Sequence, residues 1–459
     1  GVLAGVSLLH GPTDPDFYWH VTVGREIVES GALPTHDSYS FTRAGAPWIA
    51  EQWLGEVLIA AVVALGIAPA LIVFGSISAL GLAMLAMALR SRGVRTAAII
   101  AALMPAVWLI GLYVTLRPQV VSWSLLAAVV ALLVWLRPEA RAASLAIPIV
   151  FAIWVNIHGL YLVGLAVAVT YLAFTVLRAT PMYGARRWIA GVGVATAIAC
   201  LLSPYGPAVV AYLFSFADVG DWGMRNLLEW QSPDFHDPAL LPLLALIVAV
   251  VLLGRRHTDG WIAVCAYFGV VLALYAVRNA PVAGILAVPL LAMELDARIP
   301  NRPSMLSQAR PRAWLDCAAG LTIGVAALGI GLATARPAEA VATRFPVDAA
   351  RVLRATDRDA RVLAHYGWGG YVIHELHASG ARVFVDGRNH LYGDALLEEY
   401  GAIIGAAPGW SELVHRYGVE ALLIRTDQPL ARGPAVEAGW CEAYRDDMEV
   451  LLLPACPAG

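Results

Sequence analysis

Asp14-Pro15-Asp16-Phe17-Tyr18-Trp19-His20 puts two carboxylates, three aromatic rings and an imidazole into one short stretch. On its own, Asp-Pro favours a solvated turn. A plain turn, however, has no need of the aromatic run beside it. The rest of the chain decides the matter. Apolar runs occur at about 68–89, 96–116, 119–136, 143–157, 160–177, 188–204, 239–254, 261–277, 281–295 and 314–335. Many approach the ~20 residues a helix needs to cross a bilayer. The 459 residues are 59% hydrophobic and 14% charged, with a mean hydropathy of +0.68. Soluble domains carry about 25% charged residues. The chain therefore reads as a polytopic α-helical membrane protein of about ten to eleven transmembrane helices, with the acidic-aromatic stretch held at one membrane face.

The connectors between runs orient it. Arg90, Arg92 and Arg95 share one connector, and Arg137 and Arg141 the next but one. Arg178, Arg186 and Arg187 follow, then Arg255 and Arg256, then Arg298, Arg302, Arg310 and Arg312. The intervening connectors hold at most one arginine each, such as Arg117, Arg225 or Arg278. Cytoplasmic loops carry the excess of positive charge. This places the first loop, 11–66, the long loop, 203–238, and everything from 336 onward outside the cytoplasm. The net charge of −3 says little about partners, and no basic block points to nucleic acid. Val2–Leu9 is too short to span, so a first helix is expected upstream, or this is its outer end. No signal peptide is visible.

Within the first loop, Val21–Glu29 is expected to be a short helix stopped by Gly31 and Pro34. Trp48–Leu65 mixes Trp48, Glu51, Gln52 and Glu56 with apolar residues. It is expected to lie flat in the membrane interface, the alternative being the first half of a spanning helix. From 336 to 459 the composition turns soluble. Strands are expected at 361–364, 382–386 and 421–425, helices at 394–404 and 410–417, and a closing hairpin over 442–453. The whole forms a small extracytoplasmic α/β domain. Cys200, Cys265 and Cys317 read as packing residues, whereas Cys441 and Cys456 can pair if the tail is extracytoplasmic.

Chemistry is expected on the outer side, because the unusual residues sit there. Asp14 and Asp16, beside aromatic rings, suit a general base of raised pKa. As a pair they also suit a divalent cation such as Mg or Mn. His20 can bind phosphate or share a proton. Arg117, Arg278, Asn156 and His158 stand at the outer ends of spans, where polar groups default to functional candidates. Two converging arginines suit a phosphate, although each alone can snorkel to headgroups. Glu229, in Glu229-Trp-Gln-Ser-Pro-Asp234, repeats the acidic-aromatic texture as an acceptor-binding loop or an interfacial helix. Trp368 and Tyr371, in His365-Tyr-Gly-Trp-Gly-Gly-Tyr371, either stack on a sugar or peptide or make a tight-packed turn.

Asp14-Pro-Asp-Phe-Tyr-Trp-His-Val-Thr22 resembles the first outer loop of oligosaccharyltransferase catalytic subunits. The order of acidic loop, Trp-bearing helix and spanning helix over 11–90 also resembles the protein O-mannosyltransferases and lipid A aminoarabinose transferases. These belong to the GT-C superfamily of polyprenyl-phosphate-dependent glycosyltransferases. The resemblance implies an enzyme of the bacterial cytoplasmic (inner) membrane. It would move a sugar from a polyprenyl-phosphate-linked donor to an acceptor glycan, lipid or protein. Asp14 matches the catalytic loop aspartate, with Asp16 its nearest rival. Leu116-Arg-Pro-Gln119 lacks the Asp-x-Asp pair of the second outer loop, which puts a metal site in doubt. Two other readings stand beside this one. One is a non-catalytic GT-C-like subunit that binds a lipid or protein partner within a complex. The other is a transporter, which would carry broken or charged helices at midplane rather than polar residues at outer ends.

Overall fold

The computed structural model describes residues 1–136, 144–178, 183–209, 212, 221–299, 310–356 and 359–455. The chain divides into two compact units. One comprises Gly1–His10, Ala68–Pro207 and Leu227–Ala335; the other comprises Gly11–Ile67, Ala208–Asn226 and Arg336–Gly459. Arg137, Arg141, Arg302 and Cys456 lie outside the described residues.

Among its described residues the first unit is built of helices joined by turns. Each apolar run holds a helix: Ile67–Ser91, Thr96–Tyr113, Pro118–Trp135, Ala146–Trp154, Tyr161–Arg178, Tyr183–Ala199, Leu241–Leu253, Gly260–Tyr275, Ala280–Arg298 and Arg310–Thr334. Val2–His10 adds a short one. In lipid every backbone N–H and C=O must be satisfied internally, and a helix does this within its own segment. Among the described residues, Ile67–Ser91, Thr96–Tyr113, Pro118–Trp135 and Val277–Arg298 are long and apolar enough to cross a membrane. The other apolar helical stretches, Tyr161–Leu177 and Thr322–Thr334 among them, span 10–17 residues.

Pro118–Trp135 and Ala280–Arg298 are buried along most of their length, so they form the centre of this unit. Small residues set the close crossings, as expected where lipid supplies no hydrophobic drive between helices. Gly284 illustrates this: a Cβ there would stand 3.0 Å from the Ala106 Cα of Thr96–Tyr113. The basic connectors fasten helix ends. Arg95 donates from Nε to Asp296 Oδ1 at 2.7 Å, and Arg298 donates to Glu294 Oε2 at 2.9 Å.

The second unit is built on a five-stranded sheet of order β2-β1-β3-β5-β4. The strands are β1 (Arg361–Ala364), β2 (Arg382–Val383), β3 (Ala421–Arg425), β4 (Cys441–Arg445) and β5 (Glu449–Leu453). β2, β1 and β3 run parallel, with Val362 opposite both Val383 and Ala421. β5 and β4 close the sheet as an antiparallel hairpin, Leu423 pairing Leu451. Asn389–Ile404 and Trp410–Tyr417 are the accompanying helices. Cys441 is disulfide-bonded.

Residues 11–67 belong to this unit and not to the helical one. Ser40 bridges Val383 in parallel beyond the β2 edge. Val383 N–H donates to Tyr39 O at 3.0 Å, and Phe41 N–H to Val383 O at 3.1 Å. A segment near the N-terminus thus shields an edge strand of a C-terminal sheet, which otherwise presents unpaired backbone groups. The first helix, Phe17–Ser30, begins four residues before the expected Val21, so the aromatic run forms its opening turn. It stops at Gly31, which takes the left-handed conformation at φ 65°.

Candidate functional site

The acidic loop folds on itself before its helix starts. Asp14 Oδ1 accepts from the Asp16 N–H at 2.9 Å, an Asx turn that sets the chain direction. Asp16 Oδ1 accepts from the Trp19 indole N–H at 3.2 Å. Both aspartates are half-buried. The aromatic residues next in the chain face into the unit. Tyr18 packs edge-on against Phe345 and Tyr371, with ring centroids 4.8 and 4.9 Å apart. His20 is buried, with Nδ1 3.3 Å from Glu56 Oε1. The Trp368 indole N–H donates to Arg344 O at 2.8 Å, and the ring is 2% exposed. Trp368 and Tyr371, considered as stacking platforms, are thus occupied by protein. Their glycine neighbours have a different use: a Cβ on Gly370 would fall 2.6 Å from Pro15 O, so the Gly-Gly turn is where the acidic loop is seated.

Behind the loop lies a charged cluster that sequence reading did not assemble. Arg388 is 2% exposed and meets Asp386 and Asp37 together. Its guanidinium lies 4.7 Å from the Trp48 ring centroid and 5.1 Å from that of Tyr39. Trp48, expected at the membrane interface, is instead 3% exposed beneath this cation. Nearby, buried Glu51 accepts from Gln52 Nε2 at 3.0 Å, and Tyr212 hydrogen-bonds Glu51 and His390. The only sequence signal for this cluster was an arginine two residues after an aspartate at a strand end.

The helical unit brings the predicted basic and polar residues together. Arg117 is the N-cap of Pro118–Trp135, and Arg278 sits in the short Val277–Asn279 turn that leads into Ala280–Arg298. Both arginines reach Glu229: Arg117 donates to Oε2 at 3.1 Å and Arg278 to Oε1 at 3.2 Å. Burial alone would raise the Glu229 pKa, but the two guanidinium groups hold it down at about 2. The Trp230 ring lies 4.4 Å from Arg278 Cζ. His158 accepts at Nδ1 from the Leu160 N–H at 3.1 Å. Burial, then Arg278 and Arg117, lower its pKa to about 3, so it is a neutral imidazole at pH 7. Asn156 is used differently: Nδ2 donates to Ala152 O at 2.9 Å and to Leu202 O at 3.0 Å, tying two helix ends.

The helical unit therefore holds an anion between two helix-end arginines, beside a neutral histidine. Known structures share the arrangement of the chain. ArnT from Cupriavidus metallidurans in the apo state aligns over 99% of this chain and 96% of its own, with TM-score 0.55 and 16% identity. The chain has the GT-C fold. An oligosaccharyltransferase of Archaeoglobus fulgidus, tethered to an acceptor peptide containing the NVT sequon, shares it. It matches over 93% of this chain and 68% of its own, with TM-score 0.54 and 10% identity. AglB of the same organism, in complex with an inhibitory peptide and a dolichol-phosphate, matches with TM-score 0.53 at 10% identity, over 93% of this chain and 69% of that one. At these identities the GT-C likeness is one of fold. No family model and no curated protein sequence matches the chain.

Among the described residues, no group of three or more His, Cys, Asp or Glu side chains is disposed to hold a metal ion. Asp14 Oδ1 and Asp16 Oδ1 each already accept a hydrogen bond from the protein, from the Asp16 N–H and the Trp19 indole.

Proposed function

We propose that this membrane protein transfers a sugar from a polyprenyl-phosphate donor to an acceptor at the outer membrane face. The observation that supports it is the convergence of Arg117 and Arg278 on one carboxylate, within a GT-C fold. Charge-assisted hydrogen bonds from two guanidinium groups suit the oxygens of a lipid phosphate. They would stabilise the charge that grows on that phosphate as it leaves the sugar. Neutral His158 beside them can donate a hydrogen bond without adding a third cation. The acceptor hydroxyl would give up its proton to a carboxylate of the acidic loop, Asp14 first and Asp16 second. The arginine alternation of the connectors supports an outward position for that loop and the C-terminal sheet.

The test is mass spectrometry of native glycoconjugates from cells carrying Arg117→Gln, Arg278→Gln, Asp14→Asn or Asp16→Asn in place of the natural chain. Loss of one glycan with either arginine variant, at unchanged protein level, is expected. Unchanged glycans with all four would leave a GT-C scaffold that binds lipid or a protein partner without catalysis.

A further inference from the structure

Arg117 and Arg278 stand at the starts of two helices of the helical unit, whereas the anion between them stands on a short turn. Arg117 caps one buried helix and Arg278 leads into another. Their side chains are 18% and 21% exposed. Glu229 sits on the three-residue turn Leu228–Trp230, none of which is buried, and its side chain is 34% exposed. Extended residues flank the turn on each side, Leu227 at ψ 115° and Gln231 at ψ 159°. The turn is anchored independently of the carboxylate. Gln231 O accepts from the Val277 N–H at 2.9 Å, and the Trp230 ring covers Arg278.

Each oxygen of the Glu229 carboxylate takes one guanidinium. A phosphate group offers two oxygens to the same pair of donors in the same way. The Glu229 carboxylate offsets charge on both arginines until a ligand arrives. Keeping both anions would set a carboxylate against a phosphate across one pair of cations.

We propose that Glu229 is a displaceable placeholder: a phosphate-bearing lipid takes its position between Arg117 and Arg278 and releases its carboxylate to water. This rests on the arginine pair being the phosphate site of the proposed transferase. It makes donor binding an exchange of anions rather than the filling of an open site. Glu229 then lowers apparent affinity and excludes ligands too weakly charged to compete.

Two measurements on the full chain in detergent micelles test it, with a polyprenyl monophosphate as probe. In the first, Glu229→Gln keeps the shape and a hydrogen-bond acceptor but removes the competing charge. Probe affinity is expected to rise about fivefold to tenfold, the scale of a partly exposed ion pair. In the second, carbodiimide labelling of Glu229 in the natural chain is read by peptide mass spectrometry. Labelling is expected to be slow without probe and to accelerate as probe is added. Equal or weaker binding by Glu229→Gln, or labelling that slows with probe, overturns the exchange while leaving the phosphate site standing. If Arg117→Gln and Arg278→Gln bind the probe as the natural chain does, the phosphate-site reading itself fails, and the exchange with it.

Discussion

Arg388 donates from its guanidinium to Asp37 Oδ1 at 2.7 Å, joining residues 351 positions apart in sequence. The same side chain takes Asp386 with Nε at 2.9 Å and a terminal nitrogen at 2.6 Å, and Tyr392 donates to Asp386 Oδ2 at 2.5 Å. One buried cation therefore holds the N-terminal loop to the C-terminal sheet. Arg388→Met would strand two buried carboxylates, at a cost of about 3–5 kcal/mol. The pH dependence carries a sign. Burial alone would raise the Asp386 pKa, and Arg388 holds it below the ordinary range. In the natural chain this contribution is present above the unfolded value of about 3.9 and is lost as pH falls through the lower folded value. In the variant burial is opposed only by the hydrogen bonds from Tyr392 and the residue-388 backbone N–H, so the penalty grows as pH rises. Thermal unfolding at pH 5 and pH 8 should show a larger deficit at pH 8. An equal deficit at both would remove the charge from the explanation.

Gly387 stands directly against Asp16. A Cβ built there would lie 1.8 Å from Asp16 Oδ1, and one on Gly370 would lie 2.6 Å from Pro15 O. The two glycines form a seat that fits only if neither carries a side chain. Gly387→Ala must push the carboxylate away or shift the turn, at a cost of about 1–3 kcal/mol from overpacking. Hydrogen exchange of the 14–30 segment should accelerate while β1 and β3 stay protected. Unaltered exchange in 14–30 would mean the loop is held by other contacts.

These two contacts show what the sequence could and could not disclose. The helices of the apolar runs, strands β1 and β3, the hairpin and the helix stop at Gly31 were legible, because each follows from local periodicity or a local cap. The C-terminal sheet was legible from composition. The membership of residues 11–67 in the sheet unit was not, since it depends on bridges such as Ser40 to Val383 that no local pattern encodes. Trp48 misled for the same reason: a tryptophan near an apolar helix is an interfacial signal until a distant arginine covers it. Arg117, Arg278 and His158 were visible as charge and polarity at helix ends, but the carboxylate that joins the arginines came from a loop whose fold the sequence left open.

Glu51 supplies a pH dependence of its own. Burial raises its pKa to about 7 against the lowering effect of its hydrogen bonds. The folded state then keeps a proton that the unfolded state has lost, so this group's stability is greatest at low pH. It drains away as pH rises from the unfolded value of about 4.3 towards 7. Glu51→Gln removes that loss. At pH 8 the variant should be more stable than the natural chain, on the order of 3–4 kcal/mol, and at pH 4.5 the two should nearly coincide. A constant offset at both pH values would show that the carboxyl stays ionised in the fold.

Asn156 stood among the substrate-binding candidates, and its amide now has a structural occupation. Its two donors go to Ala152 O and Leu202 O, at 2.9 and 3.0 Å. They tie the end of Ala146–Trp154 to the chain just after Tyr183–Ala199. The side chain is 6% exposed, so truncation leaves two backbone carbonyls short of partners where water is scarce. Asn156→Ala should cost about 1–3 kcal/mol of stability, read as a lower thermal midpoint of the detergent-solubilised chain. Binding of a polyprenyl monophosphate to the folded variant should match that of the natural chain, because neither carbonyl belongs to the arginine pair. The opposite pattern, unchanged stability with weakened binding, would return Asn156 to the ligand site.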